Sequence, residues 1–136
     1  MLDSHFNTTL QLMISLACLE EDECNSENLA QKMGTNPAFI RKIMAKLSKA
    51  GLIETRRGKS GGVNLARAAK EISLKDIYLA VNESKSINLT KKTSTTCPIN
   101  CSAQSILMKL SSQIEKAHLL VLGRIKLSHL TKDIKI

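Results

Sequence analysis

Two groups of residues in this 136-residue chain have types and spacings suited to chemistry. The first is the run Cys97-Pro98-Ile99-Asn100-Cys101. If Pro98 opens a helix, Cys97 stands at its N-cap, where the helix dipole and unpaired N–H groups stabilise a thiolate and raise its reactivity. Cys101 lies about one turn further on, placed to resolve a sulfenic acid on Cys97 once that turn opens. A regular helix would hold the two sulfurs in poor disulfide geometry. Two small residues closing and packing a helix start therefore account for the pair equally well, and both readings stay open. Of the remaining cysteines, Cys18 is expected on the buried face of a first helix and Cys24 in a loop far along the chain. His5, His118 and His129 show no ligand spacing with Cys97 or Cys101, so no metal ligands are expected.

The second group is basic. Between Arg41 and Lys59 stand Arg41, Lys42, Lys46, Lys49, Arg56, Arg57 and Lys59, against Glu54 alone. Residues 1–36 are the opposite, with Asp3, Glu20, Glu21, Asp22, Glu23 and Glu27 against Lys32. Within a formal net charge of +8, that asymmetry favours a polyanionic partner over an evenly solvated face. No nucleophile–base–orienter set, phosphate-cradling loop or dinucleotide fingerprint is present, so an enzyme is not expected.

The elements that would carry these residues follow from local pattern. Leu10, Met13, Ile14, Ala17 and Cys18 recur at helical steps and predict an amphipathic first helix, ended by the acidic run Glu20–Glu23. Ser26 is the expected cap of a short second helix, which Gly34 closes. Asn36-Pro37 opens a third, with Ile40, Ile43, Met44 and Leu47 on one face and Arg41, Lys42, Ala45, Lys46 and Lys49 on the other, as far as Gly51. Two helices joined by a glycine turn, the second apolar inside and basic outside, make a helix-turn-helix. Leu52–Arg57 then has strand character, Gly58–Gly62 turns, and Val63–Leu65 returns, forming a hairpin wing with a basic tip. Ser73 caps a fourth helix with Leu74, Ile77, Tyr78 and Val81 inward.

The polar stretch after Val81 reads as a linker. Beyond it Ala103, Leu107, Leu110, Ile114, Ala117 and Val121 alternate four and three residues apart, a heptad seam over nearly three repeats. A long helix with no further domain to cover it is expected to pack on a second copy. The expected division is 1–81 as a winged helix-turn-helix, 82–101 as a linker with the cysteine pair, and 102–136 as a dimerisation helix and tail. The fold class is mainly α with a small β-hairpin. Without Trp, and with only Phe6, Phe39 and Tyr78 as aromatics, the core must be aliphatic. No apolar run suffices to span a bilayer and no signal peptide is evident, so a cytoplasmic protein with no membrane partner is expected.

Three segments bear a resemblance to a known family. Ala45–Ile53, Arg57–Arg67 and Ile72–Ile77 look like the "L-x-K-A-G-L", "R-G-x-x-G-G-x-x-L-A" and "I-x-L-x-D-I" segments of the Rrf-type bacterial winged helix-turn-helix transcription regulators, relatives of IscR, NsrR and CymR, in that family's order and spacing. The start Asn36-Pro37-Ala38-Phe39-Ile40-Arg41 looks most like the cluster-free YwnA-like branch. The resemblance implies a homodimer with crossing long helices, each third helix in a major groove and each wing at a minor groove.

Residues at the N-terminal end of such a reader helix face base edges, and bases further along meet phosphates. Thr35, Asn36, Ala38 and Arg41 are thus expected near the bases, and Lys42, Lys46, Arg56 and Arg57 on the backbone. Arg41 suits two hydrogen bonds to guanine or one contact to phosphate, with no preference between them. Lys59 and Ser60 are presented at the wing tip, where Gly61 and Gly62 allow close approach. Cluster-binding members resembling this chain carry three linker cysteines and a further ligand. Only Cys97 and Cys101 stand here, so no iron–sulfur cluster is expected. The function expected is a DNA-binding regulator, a repressor at a palindromic operator of double-stranded DNA, responsive to thiol redox chemistry. The alternatives are an iron–sulfur-sensing regulator and a winged-helix protein-interaction adaptor that does not bind DNA.

Overall fold

Local capping sets most helix boundaries. The computed structural model describes residues 4–20, 23–56, 62–82 and 98–134. Within them run α1 (Ser4–Cys18), α2 (Ser26–Met33), α3 (Pro37–Lys49), β1 (Ile53–Thr55), β2 (Val63–Leu65), a single 3-10 turn (Ala69–Glu71), α4 (Leu74–Val81), α5 (Pro98–Arg124) and α6 (Leu127–Thr131). Asn36 caps α3, its side-chain oxygen accepting from the Ala38 N–H at 2.8 Å, with Pro37 as first helical residue. Gly34 ends α2 at a φ of 66°, a left-handed conformation that costs glycine little. Ser73 and Asp76 form a reciprocal capping box on α4, both bonds at 3.1 Å.

One cap moves. The α2 cap is Asn25, not Ser26: the Asn25 side chain accepts from the Asn28 N–H at 2.8 Å, which places Ser26 inside the helix. A side-chain amide oxygen on extended backbone reaches the third helical N–H as well as a hydroxyl does. The buried face of α1 also moves. It consists of Phe6, Thr9, Leu10, Leu12, Met13 and Leu16, whereas Ile14, Ala17 and Cys18 are only half-buried. Contacts with α2, α4, α6 and β2 cover a wider arc of α1 than a single stripe. The Thr9 hydroxyl within that arc donates to the His5 carbonyl at 2.8 Å.

The wing strands are antiparallel, with Ile53 opposite Leu65, Glu54 opposite Asn64 and Thr55 opposite Val63. Leu52, Ile53 and Val63 are buried and anchor the hairpin to the helices. Cys24 is no open-loop residue: it is 1% exposed, and its carbonyl accepts from the Val63 N–H at 2.8 Å, tying the end of α1 to β2.

At the C-terminus the chain comes back to its first part. Leu74 N–H donates to the Ile125 carbonyl at 2.9 Å, Leu127 N–H donates to the Ile72 carbonyl at 2.8 Å, and Ser73 and Lys126 form an isolated antiparallel bridge. Leu122 and Leu127 lie in the same core as Leu12, Ile43 and Ile77. Full burial of a leucine contributes about 1.5–3 kcal/mol, so this return is a real attachment. The division at 82–101 and 102–136 is therefore revised in two respects. The long helix starts at Pro98, which puts Cys101 in its first turn, and residues 125–131 share the core of residues 4–81. Among the described residues no helix is long and apolar enough to cross a membrane.

Candidate nucleic-acid interface

Helix α3 is divided sharply by burial. Ile40, Ile43, Met44 and Leu47 face the core, while Asn36, Ala38, Arg41, Lys42, Ala45, Ser48 and Lys49 are exposed. The outward face thus combines three cations with small side chains, and it carries no acid. Such a surface lets a helix approach a charged groove closely without a desolvated carboxylate opposing it. A groove lined by Arg41, Met44, Ala45, Ser48 and Thr55 continues this face across to β1, joining reader helix and wing.

The expected site residues fall into distinct groups. Ala38, Arg41 and Lys42 are exposed on one side of α3, with Asn36 exposed at its start and Thr35 half-buried just before it. The Asn36 side-chain oxygen Oδ1 is engaged as the cap, so the NH2 of the same amide is left for an outside partner. Lys46 departs from expectation. It is half-buried, and its ammonium donates to the Val81 carbonyl at 3.5 Å, at the C-terminal end of α4. A cation is favoured there by the helix dipole and by carbonyls left without intrahelical partners, so the side chain turns from the outer face towards α4. Arg56 is exposed beside β1, its N–H donating to the Gly62 carbonyl at 2.8 Å, and Gly62 is half-buried. Arg57, Lys59, Ser60 and Gly61 lie outside the described residues. Ala45, Ser48, Lys49 and Thr55 were not among the residues assigned to DNA. The outward i, i+4 and i+7 positions from Arg41 would have found the first two.

The seam residues form a second surface. Ala103, Leu107, Leu110, Ile114, Ala117 and Val121 are all exposed in the single chain, and Ile99 and Ile106 extend the same side. Leu110 is 48% and Ile114 57% exposed. The packed side of α5 lies about a quarter-turn away, through Ser111, His118 and Leu122, and meets α4. Pro98 is the first residue of α5, as its ring favours; Cys97 lies outside the described residues, and Cys101 is exposed. Among the described residues no three His, Cys, Asp or Glu side chains converge as metal ligands. Cys18 and Cys24 belong to the end of α1 and the loop after it.

Comparison with known proteins places these surfaces in context. Residues 2–133 match the model of the family Rrf2, described as iron-dependent transcriptional regulators. The chain is 35% identical over 78 residues to protein aau3 of Rhizobium meliloti, covering 57% of this chain. It spans about half (51%) of that relative's length. It is 26% identical to YwnA of Bacillus subtilis over 106 residues, 77% of this chain and 78% of YwnA. Among solved structures, the oxidised form of Staphylococcus aureus CymR superposes with a TM-score of 0.69 at 25% identity, covering 100% of this chain and 99% of that one. The shared fold includes the winged hairpin and the long C-terminal helix.

Proposed function

The chain belongs to the Rrf2 family of transcriptional regulators, and from that premise we propose that it binds double-stranded DNA as a homodimer, with α3 entering a major groove and the seam of α5 meeting a second copy. The observation that carries this is the outward face of α3: Arg41, Lys42 and Lys49 among small residues, without an acid, over a fully apolar inner face. Asn36, Ala38 and Arg41 stand nearest the helix start and face base edges; Lys42, Lys49 and Arg56 face phosphates. The dimer is supported by the six exposed seam residues, whose burial against a partner would remove a continuous apolar strip from water. Two reader helices related by a two-fold axis call for a palindromic operator, and a site overlapping a promoter makes the protein a repressor. None of this requires catalytic chemistry.

The linker offers only Cys97 and Cys101 as thiol ligands, fewer than a cluster needs, and this count supports a cluster-free reading within a family described as iron-dependent. The protein is taken to act without a cluster, through its fold and its thiols. The deciding experiment is fluorescence anisotropy of the purified protein on a duplex library titrated with salt. A steep, linear fall of log affinity with log salt is expected. A slope near zero would leave the winged fold as a protein-interaction adaptor.

A further inference from the structure

Aromatic side chains are scarce in this chain: Phe6, Phe39 and Tyr78 are the whole supply. All three, with two of the three histidines, make edge-to-face contacts, in two sets that meet at the consecutive residues His5 and Phe6 of α1. Phe39, in the first turn of α3, meets His5 of α1 with ring centroids 5.4 Å apart and planes at 73°. Phe6, the next residue of α1, meets Tyr78 of α4 at 5.4 Å and 89°. Tyr78 then meets His118 of α5 at 4.9 Å and 89°. These separations and angles lie where ring quadrupoles favour an edge against a face. Joined through the α1 backbone between His5 and Phe6, the two sets make a line from the turn that presents Ala38 and Arg41 to the helix that carries the seam.

We infer that His5, Phe39, Tyr78 and His118 are positioning residues for operator recognition: they hold the first turn of α3 in a set place relative to α5, so that the dimer seam fixes the distance between the two reader helices. This rests on the homodimeric DNA-binding reading. Three features carry it. Phe6 is 1% exposed and wedged in the core, so the middle of the line cannot drift. Aromatic rings have few rotatable bonds and preferred contact angles, so each edge-to-face contact restricts how its two helices can shift. Along α5 the only buried residue is Leu122, so the Tyr78–His118 contact, one turn before it, is part of the limited grip on that helix. A dimer reads half-sites about one helical turn of DNA apart, and a shift of about 3.4 Å amounts to one base pair. Slack in this line therefore weakens discrimination between operators whose half-sites differ in spacing by one base pair.

The test compares the parent with His118→Leu, Phe39→Leu and the double variant, each keeping apolar volume but losing the ring geometry, and with His118→Phe, which keeps a ring. Palindromic duplexes recovered by the parent from a random library are remade with one base pair added or removed between half-sites. Spacing selectivity is the ratio of affinities for the original and altered duplexes. It should fall measurably in each Leu variant, by up to about ten-fold, the ceiling set by the free energy of one edge-to-face contact. The double variant should fall less than the product of the singles. His118→Phe should stay closer to the parent than His118→Leu, and salt slope, nonspecific binding and dimer mass should stay unchanged. Amide NMR spectra of DNA-free protein should show His118→Leu perturbing Ala38 to Arg41. Folded variants with parental selectivity, or strictly additive losses, overturn the inference. If Phe39→Leu fails to fold, His118→Leu decides alone, its ring being half-buried at the edge of the core. If the parent binds no duplex, the DNA-binding reading fails instead, and the amide response still decides whether α5 is coupled to α3.

Discussion

The exposed Lys42 and the inward-turned Lys46 offer a sharp test, because both are cations of the same helix and only their surroundings differ. Lys42 is exposed on the outer face, whereas the Lys46 ammonium is 3.5 Å from the Val81 carbonyl. Each cation that neutralises a phosphate adds about 0.9 to the slope of log affinity against log salt. A homodimer presents each residue twice, so Lys42→Ala should lower the slope by about 1.8. Between about 50 and 200 mM salt, a four-fold change in concentration, the affinity loss should then be about twelve-fold smaller in the variant than in the parent. Lys46→Ala should leave the slope nearly unaltered, because its charge serves the end of α4. Its effect should be on stability instead, about 0.5–1.5 kcal/mol for a lost hydrogen bond at a partly exposed site. Anisotropy titrations at four or more salt concentrations, beside thermal melts, give both numbers. Equal slope changes for the two lysines would refute the assignment of Lys46 to α4, and an unchanged slope for Lys42→Ala would refute its place at the phosphates.

Three further outcomes are expected. Leu110→Glu sets an unpaired charge in the seam, so sedimentation should show monomer and affinity for a palindromic site should collapse; a dimer of normal affinity would mean that the seam lies elsewhere. Leu127→Ala removes a fully buried side chain from the C-terminal return and should cost about 2–5 kcal/mol in chemical denaturation, whereas a separate tail would show almost none. Mild oxidation should alter DNA affinity in the parent but not in Cys97→Ser, and anaerobically purified protein should be colourless. Equal affinities in all four samples make Cys97 and Cys101 structural, and a brown protein containing iron and sulfide would establish a cluster.

What could be read from the chain alone was whatever depends on neighbours in sequence. Asn36-Pro37, Gly34, Ser73 and Pro98 each satisfy or terminate backbone groups within four residues, so their effect is legible before any fold exists. The division of α3 into apolar and basic faces and the heptad seam of α5 are periodic, and periodicity also survives without coordinates. Within the same local rule, Asn25 outcompeted Ser26 as a cap, a choice between two good residues one position apart. Tertiary structure decided the rest. Cys24 became a core residue because β2 arrives from forty residues away to bond its carbonyl, and Lys46 turned inward because α4 ends beside it. Residues 125–131 rejoined the core because the loop before α4 offers them backbone partners. The line from Phe39 to His118 depends on four helices meeting at once. Such contacts arise from surface complementarity between distant segments, and no spacing along one segment encodes which partner will come to meet it.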